Sequence, residues 1–432
     1  MSAKGVIFDL MAAQSPSYRG RGIARYGTDF VRAMVEHHPE LVSAVVVHPE
    51  LGVPPDLEGL TRWLTPDPEW SDASVLHMSS VIEPEVPVRT FWPRQAVANR
   101  LLGAVTVYDL IPDLFPGWYL EDPGLRRRWR CCREVVRAAD AVLTLSESAR
   151  QDTIALLGVP EARVTVVGSG ISPRFRPPGS RRAAFEAAST AVDGLEEGYV
   201  IYTGAFNRRK NVDGLLEGYA SLPRRLVDAH QLVIVCEVAS LTRNHYRLMA
   251  KDLGVDGRVL ITGFVPEAVL VALNQAAELA VYPSLYEGYG LPVIEAMACG
   301  TPAIAGDNSS LQEILPREAR FQPDDPWAIA EAMAKGLTDA AFRRRLAAVA
   351  AQGPPSWAEV AERAARTFED LLRRASKWRP GWRRRPCLAL VSVPQALAEA
   401  LARLADCDVF CGPSEGARLA QGGQAQGGRA QG

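Results

Sequence analysis

The stretch YPSLYEGYGLPVIEAMACGTPAIAG, from Tyr282 to Gly306, holds two carboxylates, Glu287 and Glu295, with seven residues between them. Gly288, Tyr289, Gly290, Leu291 and Pro292 follow the first acid directly. A proline in a first helical turn lacks an N–H that the helix would leave unpaired anyway, so the spacing predicts a helix start near Leu291. The backbone N–H groups of Gly288, Tyr289, Gly290 and Leu291 then gather at a helix N-terminus. Such an end carries about half a positive charge and binds phosphate, and glycine lets the ligand come close. Glu295, about one turn in, can accept hydrogen bonds from two ribose hydroxyls. Glu287, on the loop, can read the hydroxyls of a sugar attached to the phosphate. Two acids near a helix start are also favoured on electrostatic grounds alone, so the pair needs its surroundings to carry a function.

Those surroundings are two alternations of strand and helix. KGVIFDL, VSAVVVH, SVLHMSS, GAVTVYDLIP, DAVLTLSES and RVTVVGSG form the first series, and YVIYTGAF, QLVIVCE, RVLITGF, LAVYPS and TPAIAG the second. Runs rich in Val, Leu and Ile without polar alternation predict parallel strands covered on both faces. The expected fold class is α/β, with two Rossmann-like doubly wound domains facing each other across a cleft. The first is expected over 1–178, a Pro-rich charged linker over 179–198, the second domain over 199–356, and an amphipathic helix over 357–375. Residues 376–432 read as a basic linker, a possible remnant of a further Rossmann-like unit over 386–411, and a low-complexity tail.

A length of 432 residues suits two domains. The net charge of −2 gives no global attraction to nucleic acid, and no such partner is expected. No apolar run reaches the roughly 18 residues of a membrane span, and the start lacks the features of a secretory signal. The expected location is the cytoplasm, with contact at the inner membrane face an option for the arginine-rich segment 125–139 and for KWRPGWRRR. Seven scattered cysteines without a CxxC argue against a disulfide framework and structural zinc. The Asp-x-Asp match at Asp406–Asp408 precedes a tail strand, so no metal site is expected.

EGYGLPVIE resembles the E-x(7)-E signature of retaining glycosyltransferase family four, and EAMACGTPAIAGDNSSLQEI continues the likeness. GRGIARY, VYDLIPDLFP, ADAVLTLSESARQDTI, YTGAFNRRKN and LITGFV extend it from residue 5 to about 375. The resemblance implies the GT-B arrangement, with the donor nucleotide-sugar on the second domain and the acceptor on the first. In GAFNRRKN it implies that Gly204 and Lys210 meet the donor diphosphate. Ala205 stands where many relatives have an arginine, and Arg209 is the expected substitute. Val265 falls in the loop where relatives hold the base through backbone groups. Ser309 and Ser310 are expected to cap the following helix. On the first domain, the resemblance implies that Gly22 lets its loop approach the donor phosphate, that His77 contacts the transferred sugar from the cleft, and that Asp109 binds an acceptor hydroxyl. A histidine satisfied beside a strand end and a structural aspartate are the plain alternatives for these two.

The implied reaction moves a hexose from a nucleoside-diphosphate sugar to an acceptor hydroxyl with retained configuration. It needs no cofactor and no metal. Lys210 and the helix end offset the leaving diphosphate, and Glu287 orients the sugar. Polysaccharide, lipid-linked glycan and small molecule all remain open as acceptor. A glycan-binding scaffold of reduced activity is the alternative. A glycoside hydrolase using both glutamates would leave the phosphate-binding helix end without purpose. An NAD-dependent enzyme lacks a strand running into a good GxGxxG.

Overall fold

A computed structural model describes residues 5–14, 22–48, 51, 57, 59–81, 93–351 and 353–376. The tail, with its expected remnant, Asp406–Asp408 and KWRPGWRRR, lies outside the described residues, as do the first two residues of GRGIARY.

Two parallel sheets form the frame. The first contains β1 (Gly5–Asp9), β2 (Val42–Val46), β3 (Leu64–Thr65), β4 (Ala73–Met78), β5 (Leu102–Val107), β6 (Ala141–Thr144) and β7 (Val164–Val166). Its order is β3-β2-β1-β4-β5-β6-β7. The second contains β8 (Val200–Thr203), β9 (Leu232–Val235), β10 (Val259–Ile261), β11 (Leu279–Tyr282), β12 (Ala303–Gly306) and β13 (Arg320–Phe321), in the order β10-β9-β8-β11-β12-β13. The central strands are buried along their length, as their unbroken apolar runs predict. Each sheet reverses its order once, at β1/β4 and at β8/β11. In open α/β sheets a ligand crevice lies at the carboxyl ends of the strands flanking such a reversal. The loops leaving β8 and β11 are GAFNRRKN and SLYEGYG.

The stretch expected as a linker is part of the second unit. Residues Arg181–Ala191 form a helix whose Ala184 and Ala188 are buried in the second core. Its alanines at i and i+4 make one apolar stripe, which packs on the helix Glu267–Ala276. The helix Trp357–Ser376 does not stay with the second unit. It buries Val360, Ala361, Ala364, Phe368 and Leu371 in the first core, against the helix Gly22–His37 and β4. Phe368 is fully buried, with its ring edge-on to Phe8 at 5.4 Å. Burying a side chain of that size stabilises by about 1.5–3 kcal/mol, and it is one of several apolar side chains that hold the helix on the first core. The two crossings touch, because a Cβ on Gly170 would stand 2.6 Å from the Trp357 ring. Cys131 is disulfide-bonded, which the argument against a disulfide framework did not anticipate, and Cys236 and Cys299 carry free thiols. Among the described residues, no helix is long and apolar enough to cross a membrane.

Candidate active site

The β8 and β11 loops interlock around Glu287. Asn207 begins the turn Arg208–Lys210 by accepting the Lys210 N–H at 3.1 Å. That turn presents two cations side by side. Lys210 Nζ donates to Glu287 Oε1 at 2.5 Å, and Arg209 Nη1 donates to Glu287 Oε2 at 2.9 Å. The Leu285 N–H donates to the Arg209 carbonyl at 2.8 Å, so the backbones of the two loops are tied as well. Glu287 is only 8% exposed. Burial pushes its carboxyl pKa up, but Lys210 and Arg209 outweigh burial and bring it down to about 2. Burial draws the Lys210 ammonium downward, and Glu287 opposes that. Gly204 lies just after β8, where a Cβ would stand 2.6 Å from its neighbour Tyr202's hydroxyl oxygen.

The helix Leu291–Ala298 starts where the proline places it, with Gly290 as its N-cap at φ +89°. That left-handed backbone is open to glycine at little cost. Gly288 is pressed against the first unit. A Cβ there would stand 2.5 Å from the Tyr108 carbonyl oxygen and 2.8 Å from Asp109 Cβ. Asp109 therefore sits beside the cluster, with Oδ1 accepting the Ile111 N–H at 3.1 Å. Burial raises its pKa, and the Ile111 N–H and Arg209 oppose the rise. Tyr289 turns away from the helix end. It packs on the first core, and its hydroxyl donates to the Ser169 carbonyl at 3.1 Å.

Glu295 is buried and paired with Arg25 of the helix Gly22–His37. Burial raises its pKa, and Arg25 restrains the rise. Gly22 opens that helix and faces the other helix start, since its Cβ would lie 3.6 Å from Leu291 Cδ1. Val265 stands apart. It follows β10, an outer strand of the second sheet, and packs on the second core beside Phe264, which is 74% exposed.

Two expectations fail. His77 does not face the cleft. It is 0% exposed, with Nε2 2.9 Å from Thr106 Oγ1 and its ring 5.3–5.5 Å from those of Phe8, Phe30 and Phe368. Alternation along β4 sends Leu76 and Met78 to one face of the sheet and Val75 to the other, where the helices Gly22–His37 and Trp357–Ser376 cover it. His77 shares the parity of Val75. Burial drops its pKa to about 3, so the ring is neutral. Ser309 and Ser310 do not cap the next helix with their side chains. Ser309 Oγ accepts the Glu287 N–H at 2.9 Å, and Ser310 Oγ donates to the Glu287 carbonyl at 3.0 Å. Arg25 and this serine pair are the site neighbours that sequence reasoning missed. The signal was the strand end before DNSS, which lies next to β11 in a doubly wound order.

Residues 191–352 match the model of glycosyl transferases group 1, and residues 91–175 that of glycosyltransferase family 4. The serotype-specific mannosyltransferase WbdA of Escherichia coli is 31% identical over 275 residues, covering 61% of this chain and 33% of the relative. The O-antigen chain mannosyltransferase B of the same species is 29% identical over 255 residues, 58% of this chain and 65% of the relative. The chain thus matches about a third of the first relative's length and under two thirds of the second's. In structure, Anabaena HepE, crystallised with UDP and glucose, superposes with a TM-score of 0.62 over 85% of this chain and 100% of that one, at 14% identity, a likeness of fold. With both units matched in sequence and the pair of sheets matched in fold, the chain belongs to the family-four type of glycosyltransferases, in the GT-B arrangement.

Proposed function

We propose that this chain moves a hexose from a nucleoside-diphosphate sugar to an acceptor hydroxyl, with retained configuration, in the building of a glycan or glycoconjugate. The observation that carries the reading is Glu287. It is a buried carboxylate clasped by Lys210 and Arg209 at the strand reversal of the second sheet, between a helix N-terminus and Asp109 of the first unit. The likeness to the mannosyltransferases WbdA and O-antigen chain mannosyltransferase B favours mannose as the hexose. In this reading the diphosphate lies against Lys210, Arg209 and the start of Leu291–Ala298, which offset the charge that grows as the bond to C1 breaks. Glu287 orients the sugar hydroxyls, and Glu295 reads the ribose once Arg25 yields it. The acceptor hydroxyl, held by Asp109, attacks C1 on the face the phosphate leaves. Its proton passes to the departing phosphate oxygen, so no protein nucleophile is used. The cations of the loop supply the electrostatics without a metal, and EDTA is expected to leave the rate unchanged.

A panel of UDP, GDP, ADP and dTDP tests the donor half. The preferred diphosphate at about 100 times its Kd stabilises by ~2.7 kcal/mol, visible as a rise in Tm. Stabilisation by NAD with none by any nucleoside diphosphate would reject the reading. His77 lies outside this chemistry. His77→Ala is expected to cost about 3 kcal/mol of stability through the cavity it leaves. Its rate per folded molecule should match the parent, as urea unfolding beside rates corrected for folded fraction would show. The first turns of the helix Pro123–Ala138 expose Leu125, Arg127 and Arg130, a surface suited to contact with anionic lipid.

A further inference from the structure

Resting on the donor reading above, we propose that Glu313, acting through Ser309 and Ser310, is a positioning residue that lets contact between the two units set Glu287. The helix Glu147–Leu157 belongs to the first unit, and its first N–H groups have no partner within the helix. Two of them are taken by a side chain of the second unit. Glu313 Oε2 accepts the Glu147 N–H at 2.9 Å, and Oε1 accepts the Ser148 N–H at 2.8 Å. A carboxylate suits that position because the helix end is positive.

The same helix start grips the Glu287 loop on both sides. Ser146 caps its own helix by accepting the Ala149 N–H at 3.0 Å, and its hydroxyl donates to the Gly288 carbonyl at 2.7 Å. The Tyr286 hydroxyl bonds Asp152 and lies 3.2 Å from Ser148 Oγ. Residues 286 and 288 are thus fastened to the first unit, and residue 287 between them is fastened by the serines.

The serines belong to the turn that carries Glu313. Ser309 and Ser310 hold the N–H and the carbonyl of Glu287, and Leu311–Ile314 follows at once. Ser309 has φ +42°, a left-handed backbone that a residue with a Cβ rarely adopts. Such strain persists where surrounding contacts hold it. Here they are the Ser309 hydroxyl donating to Asn308 Oδ1 at 2.9 Å and the Ser309 carbonyl accepting the Gln312 N–H at 3.1 Å. Parting the units strips Glu313 of both donors, frees the turn to relax at Ser309, and loosens both brackets on Glu287. The sugar is then gripped for transfer only when the units are shut and water is excluded.

Hydrogen exchange on the full chain tests the brace without any ligand. Glu313→Ala is expected to speed exchange about fivefold at 147–149 and also at 285–290, as loss of a helix cap linked to a second segment would. Ser309→Ala should speed 285–290 and leave 147–149 protected. Faster exchange at 147–149 alone in Glu313→Ala makes the residue a local cap and overturns the proposal. With donor and acceptor present, Glu313→Ala should shift the products from transfer toward hydrolysed sugar, while the nucleoside diphosphate still raises Tm. An unchanged ratio of transfer to hydrolysis also overturns it. If no nucleoside diphosphate binds the parent, the donor reading fails, and the exchange pattern still decides the brace.

Discussion

Glu287→Ala is expected to lower kcat by about 10²–10³-fold or more and to destabilise the chain by about 3–5 kcal/mol. Both effects come from one arrangement. Removing the carboxylate leaves Lys210 and Arg209 with side chains about one-eighth exposed and no counter-charge from that position. It also removes the group that fixes where those cations point, so the diphosphate would meet them misplaced. Glu287→Gln keeps the shape and leaves the same uncompensated charges, and should lose most of the activity too. Rates and urea unfolding, measured side by side, separate the losses. A parental rate for Glu287→Ala would end the assignment of this cluster as the active site. The acid limb of stability adds a check with a definite sign. The Glu287 pKa is depressed to about 2 in the folded chain, from an ordinary 4.5. Its contribution is therefore present above about pH 4.5 and is lost as pH falls toward 2. Glu287→Gln should lack that part of the acid-induced loss.

The second large effect is expected at Gly288. An alanine methyl there would stand 2.5 Å from the Tyr108 carbonyl oxygen, a backbone atom that cannot swing aside. Either the loop withdraws, which moves Glu287, or the units separate, which breaks the bond from Ser146 to the Gly288 carbonyl. A displacement near 1 Å at reacting groups costs about 10²-fold, so kcat/KM should fall by that order. Stability should fall far less than in Glu287→Ala, because each unit keeps its own core. Small-angle scattering would show a larger radius of gyration if separation is the response. A fully active Gly288→Ala would mean that the contact with Tyr108 and Asp109 is not used in turnover.

Much of this site follows from local rules, because the residues concerned are neighbours in the chain. Pro292 and Gly290 place the helix start, and unbroken apolar runs place eleven of the strands. The two others, β3 and β13, are two residues long and present no hydrophobic period to read. Linker composition misled at Arg181–Ala191, where prolines just ahead of the helix hid its short alanine stripe.

Short-range patterns in the chain are enough to specify two parallel sheets, a helix N-terminus flanked by Glu287 and Glu295, and a strand end from which Arg209 and Lys210 emerge. Apolar periodicity and turn chemistry act over a few residues, and both are written in the local order of the chain. It took packing between distant segments to bring Arg25 to Glu295, to return the helix Trp357–Ser376 to the first core, to set Ser309 and Ser310 against Glu287, and to turn His77 toward aromatic rings. A strand buried on both faces carries no pattern telling which face a residue takes. Partners far apart in the chain, such as Arg25 and Glu295, meet only once the sheets have twisted and the two units have docked.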